Sequence, residues 1–151
     1  MIKILHRVVA LFLLCCVTLV AQEKGYWRAA SSNAKSITGD VSLADEKITL
    51  DFISFTMVRV RPLTPAEASA LFDADPGSGG SASLYRLDIP FSKKFLHKNS
   101  LCGGEDTEWM ATYTAGRNLQ LVFFSGQKPP VFTLDAISNS TDVCGTYAYV
   151  K

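Results

Sequence analysis

The chain has 151 residues, 48% of them hydrophobic and 19% charged, and its 15 basic and 14 acidic residues leave a formal charge of +1. That length suits one ordinary domain with a real core. No long run of like charge marks a nucleic-acid or anionic-membrane partner, and neither is expected.

Lys3, His6 and Arg7 precede an apolar, acid-free run over residues 8–21. A basic start, a short apolar core and a small residue before a polar stretch form the pattern of a secretory signal. Residues 1–21 are therefore expected to be cut off after Ala21, leaving residues 22–151 as one β-rich domain, periplasmic or secreted. The apolar run has 14 residues, short of the ~20 that a spanning helix needs. Retention as an anchor is the alternative, but no stable span is expected once the signal is gone. Leu14 before Cys15 argues against a lipid-modified start. Cleavage leaves 130 of the 151 residues, and with Lys3 and Arg7 removed, 13 of the 15 basic groups face 14 acidic ones, a formal charge of −1.

Cys15 and Cys16 belong to the leader, so the domain holds Cys102 and Cys144 alone. An even count in an exported chain predicts a disulfide. It would close a loop of about 43 residues, worth ~4 kcal/mol in the chain-entropy account. Metal ligation is the rival use of two cysteines, but the domain has one histidine, His97, and no Cys-x-x-Cys. No metal and no cofactor are expected.

In chain order, residues 36–43 alternate apolar and polar with the period of a half-buried strand. Ile48, Leu50 and Phe52 share one face of the next. The apolar parity then switches to Ile53, Phe55 and Met57, and again to Val58 and Val60, which a period of two permits only with a bulge, a bend or two shorter strands. Thr64-Pro65-Ala66-Glu67 is a capping box with proline at the first helical position, predicting a helix over about 65–73. Residues 75–81, rich in glycine and serine, form a surface loop; they lack the Gly-Lys-Ser/Thr ending of a phosphate cradle. A strand covers 83–89, and 91–104 is irregular and basic. Trp109, Ala111 and Tyr113 share a face, and after a turn at 115–118 Leu119, Leu121 and Phe123 alternate in a hairpin. Residues 131–137 read as a short strand and 144–150 as the last. Six to eight short strands and one helix predict a small antiparallel β-barrel or sandwich with one disulfide. In a barrel, the last strand would bring Tyr147 and Tyr149 to Trp27.

Gly25-Tyr26-Trp27, followed by antiparallel strands, resembles the Gly-x-Trp opening of lipocalin-like and avidin-like barrels. Exported bacterial protease-inhibitor barrels look similar in size and in their single disulfide. The helix and glycine loop at 64–82 depart from those barrels, which usually continue their meander there. Cys102-Gly103-Gly104 and Cys144-Gly145-Thr146-Tyr147 resemble the C-terminal half of an uncharacterised exported bacterial protein family, a resemblance that implies no activity.

Several constellations could carry chemistry. Arg59 and Arg61 share a face of one strand, and with Arg86 on another they could converge on a carboxylate or phosphate; a charged outer face paired with Asp88 or Asp51 is the other reading. Trp27, Trp109 and Tyr113 could line a barrel mouth or simply be core. Glu105, Asp106 and Glu108 crowd one loop as a cation site or a solvated turn, without the alternating spacing of a calcium loop. His97 could serve a hydrolase with a serine and Asp106, although Lys93, Lys94 and Lys98 crowd it and no nucleophile-elbow pattern accompanies it. The expected function is an exported, non-enzymatic binding module for a small ligand or a protein partner, with a hydrolase using His97 and a structural envelope component as alternatives.

Overall fold

The computed structural model describes residues 23–151. The expected signal peptide, 1–21, with Cys15 and Cys16, lies outside the described residues. Eight antiparallel strands follow one another around a closed barrel: β1 (Gly25–Ala29), β2 (Val41–Leu43), β3 (Lys47–Leu50), β4 (Ile53–Pro62), β5 (Ser81–Ile89), β6 (Thr107–Ala115), β7 (Asn118–Phe124) and β8 (Val143–Val150). Closure decides between barrel and sandwich. Arg28 pairs with Val150 and Ala29 with Tyr149, and Trp27, Tyr147 and Tyr149 meet in one buried cluster, as closure requires.

Because side chains alternate across a strand, the wall carries two cores. Inside lie Trp27, Ile48, Leu50, Met57, Leu87, Met110, Leu121, Phe123, Tyr147 and Tyr149. Outside, Leu84, Trp109, Ala111, Tyr113, Val122 and Phe124 pack under Ala68, Phe72 and Phe132. The outer cover comes mainly from α1 (Pro65–Phe72), inserted between β4 and β5. Thr64 Oγ1 accepts from Glu67 N–H at 3.2 Å, and Glu67 Oε2 accepts from Thr64 N–H at 2.8 Å. The capping box thus starts α1 where expected, and Asp73, in the left-handed region, ends it. The meander continues past this insertion, since β4 pairs directly with β5.

One expected helix becomes several helical pieces. Residues 131–137, read as a strand, instead lead into α2 (Leu134–Asn139), because Thr133 Oγ1 accepts from Ala136 N–H and caps it. Of the strand expected over 36–43 only β2 forms. Before it, Ala34–Thr38 is a π-helical turn, closed by Gly39 N–H donating to Ala34 O at 2.8 Å. The parity switch after Phe52 is a tight hairpin: Asp51 and Phe52 have φ of 44° and 64°, Leu50 pairs with Ile53, and Phe52 is 99% exposed.

The two ends of the barrel differ. At one, the π-turn and residues 90–106 form a plug that sends Ala34, Phe95 and Leu101 into the inner core. Asn99 Nδ2 donates to Ser36 O across the plug, and the Cys102–Cys144 disulfide ties it to β8. At the other end the wall is uneven. β2 and β3 have three and four residues, whereas β4 and β5 have ten and nine. The inner face of the tall side therefore extends beyond the short one, with Ser83, Tyr85, Thr112 and Thr114 on it still buried.

Candidate functional site

That face is polar. Arg59 pairs with Tyr85, and Ser83 with Thr112. Tyr85 and Met110 belong to the inner core, so two-residue alternation turns Arg59, Ser83, Thr112 and Thr114 inward as well. A hollow of about 90 Å³ opens here, lined by Arg59, Ser81, Ser83, Tyr85 and Thr114 and by Glu23 from the segment before β1. Arg59 donates to Ser83 Oγ through Nε at 3.3 Å and Nη2 at 3.1 Å. Tyr85 OH donates to Glu23 Oε2 at 2.9 Å. Glu23 Oε1 is buried and has no hydrogen-bond partner among the described residues. At the rim Lys24 and Asp45 form an ion pair.

Burial raises the Tyr85 hydroxyl well above the ordinary tyrosine range, and the Glu23 carboxylate adds to this while Arg59 opposes it. The phenol is thus held neutral as a donor. Trp27 does not line the hollow, but it positions it: its fully buried indole donates from Nε1 to Glu23 O at 2.9 Å, and Lys151 Nζ lies 4.3 Å above the ring.

The remaining candidate residues sit elsewhere. β4 bulges between Arg59 and Arg61, so that Arg61 pairs with Leu84, an outer-core residue, rather than facing inward. Its guanidinium grips Glu67 of α1 through two bonds of 2.8 and 2.9 Å and lies 5.8 Å from the Phe132 ring centre. Arg86 forms an ion pair with Glu108 and sits 4.7 Å over the Trp109 ring. The three arginines therefore do not converge: the bulge turns Arg61 outward, and Arg86 is held against Trp109. Tyr113 stacks on Phe72 at 5.5 Å, and its hydroxyl hydrogen-bonds Ser78 Oγ at 2.7 Å. Trp109 and Tyr113 thus serve the outer core, across the wall from Trp27.

His97 is exposed on a turn at Leu96–Lys98 and makes no hydrogen bond to a serine or carboxylate among the described residues. Asp106 accepts from Phe91 N–H and Glu105 from Ser125 Oγ. Among the described residues, no three His, Cys, Asp or Glu side chains are grouped to hold a metal ion, and no helix is long and apolar enough to cross a membrane.

Sequence reading reached Arg59 but missed Glu23, Ser81, Ser83, Tyr85 and Thr114. The available signal was the run Ser81, Ser83, Tyr85 beside Met110, Thr112, Thr114, in which each inward face turns from apolar to hydroxyl toward the same end. No family model, curated protein or solved structure matches this chain.

Proposed function

We propose that the chain is an exported, non-enzymatic binding module that holds a small polar ligand in the barrel mouth. The observation that carries this reading is the Glu23–Tyr85–Arg59 cluster. It places a carboxylate with one unpartnered oxygen and an accessible guanidinium together at the mouth of a mostly aromatic and aliphatic interior. Buried acceptors are normally satisfied, and one that is not calls for a partner such as a water or an ion. Export is supported by the basic-then-apolar leader and by a disulfide suited to an oxidising compartment.

Native mass spectrometry of the chain purified from an oxidising export compartment tests this. The wild-type protein is expected to carry extra mass that is lost on activation, and Arg59→Ala is expected to emerge bare. Extra mass held equally by both would remove the mouth from consideration.

A second reading, binding of a protein partner, draws on a different surface. An apolar groove of about 620 Å³ runs between α1 and the segment entering α2, where Val131 and Leu134 are 64% and 69% exposed. Exposed apolar surface of this kind suits a protein contact. Self-association at high concentration, abolished by Leu134→Asp, would favour it.

A further inference from the structure

We infer that the barrel mouth selects a small zwitterion, a molecule with an ammonium group and a carboxylate a few bonds apart, of the α- or β-amino-acid class. This rests on the mouth being the binding site. Four charged groups border the hollow: Lys24, Asp45, Glu23 and Arg59. Lys24 and Asp45 neutralise each other at the rim. That leaves one negative and one positive group, bridged by Tyr85, which bonds to Glu23 and lies in the field of Arg59. The site is neutral in sum and strongly dipolar.

A dipolar site discriminates by sign at both ends. A simple anion drawn to Arg59 meets the Glu23 carboxylate, and a simple cation drawn to Glu23 meets the guanidinium. Like-charge contacts of this kind count against the wrong ligand as much as attraction favours the right one. A zwitterion satisfies both ends: its ammonium donates to Glu23 Oε1, the buried acceptor without a partner, and its carboxylate accepts from Arg59. Charge-assisted hydrogen bonds of these two types are the stronger ones. Ser81, Ser83 and Thr114 supply hydroxyls along the floor.

Size narrows the class. The hollow of about 90 Å³ is several times the ~10–15 Å³ of probe volume that one water needs. It admits the amino-acid head, with any longer side chain directed out past the rim.

The test is an NMR titration of the ¹⁵N-labelled chain, purified from an oxidising export compartment, at constant ionic strength. The probes are glycine, β-alanine, acetate and methylammonium. Glycine or β-alanine is expected to shift the backbone amides of Ser83, Tyr85 and Thr114 saturably, at concentrations about tenfold or more below the single-charge probes, the scale of one charged hydrogen bond. Arg59→Gln and Glu23→Gln are each expected to weaken that binding by about the same factor, with amide dispersion reporting that each variant is folded. Acetate or methylammonium saturating the same amides as tightly as the zwitterions would overturn the ligand class and leave the mouth as the binding site. No saturable shift with any of the four would overturn both.

Discussion

Arg59 and Arg61 stand two residues apart on β4 and face opposite sides of the barrel wall. The bulge between them gives one guanidinium to the mouth and the other to the junction with α1. Arg61 acts there through Glu67, whose carboxyl is held down at about 2, first by the Arg61 hydrogen bonds and further by those from Thr64.

A lowered carboxyl pKa stabilises the fold above its unfolded value, and that contribution fades as pH falls through the folded one. Glu67→Ala is therefore expected to lose about 1 kcal/mol at pH 7, from the partly exposed ion pair and the cap together. Its deficit against wild type should shrink as pH drops from the ordinary carboxyl value of 4.5 toward about 2. Urea denaturation of both proteins across that range is the check. A deficit independent of pH would detach Glu67's stabilising role from its charge.

Gly80 lies directly beneath the Tyr113 ring. A Cβ built there falls 2.2 Å from the hydroxyl and 2.4 Å from Cζ, inside any real contact. Since Tyr113 is pinned by Phe72 and Ser78, it yields poorly, and Gly80→Ala should cost about 1–3 kcal/mol as overpacking. Tyr113→Ala should erase most of that penalty when the two are combined. Additive losses in the double variant would show that the clash lies elsewhere.

The disulfide spans a sequence separation of 42 residues and joins the end plug to β8. Cys102→Ser combined with Cys144→Ser should lose about 4 kcal/mol in the chain-entropy account. Hydrogen exchange in residues 90–106 should rise more than in β6 or β7, because Phe95 and Leu101 carry the plug into the core. Uniform loss of protection would mean the bridge acts on the unfolded chain alone.

At the same sealed end, Thr38 Oγ1 and Tyr149 OH share a hydrogen bond of 2.6 Å between residues that are 0% and 1% exposed. Burial raises the Tyr149 hydroxyl above its usual range, with the Thr38 bond opposing. Thr38→Val leaves a buried phenol without this partner and should cost about 1–3 kcal/mol. Tyr149→Phe on top of it should recover part of that loss, as a double-mutant cycle by thermal or urea unfolding would show.

Local chemistry wrote several elements legibly. The capping box set the start of α1, the alternation at 109–124 set the β6–β7 hairpin, and the parity switch at Phe52 announced the turn between β3 and β4. Thr133 hid a helix start behind a strand-like run, because a short apolar segment carries no decisive period.

Composition and period alone determined that this is a β-rich domain with one helix between two strands and a pairing of Cys102 with Cys144. These follow from interactions over a few residues, or, for the disulfide, from only two of the four cysteines lying outside the apolar N-terminal run. Closure of β8 on β1, the plugged end and the split between inner and outer cores were decided by tertiary structure. So was the mouth, which joins Glu23, Arg59, Ser83, Tyr85 and Thr114 from four separate stretches of chain. Alternation states that a residue faces one side of a strand; only the closed wall, and a one-residue bulge that inverts the sequence parity at Arg61, states which side is inside.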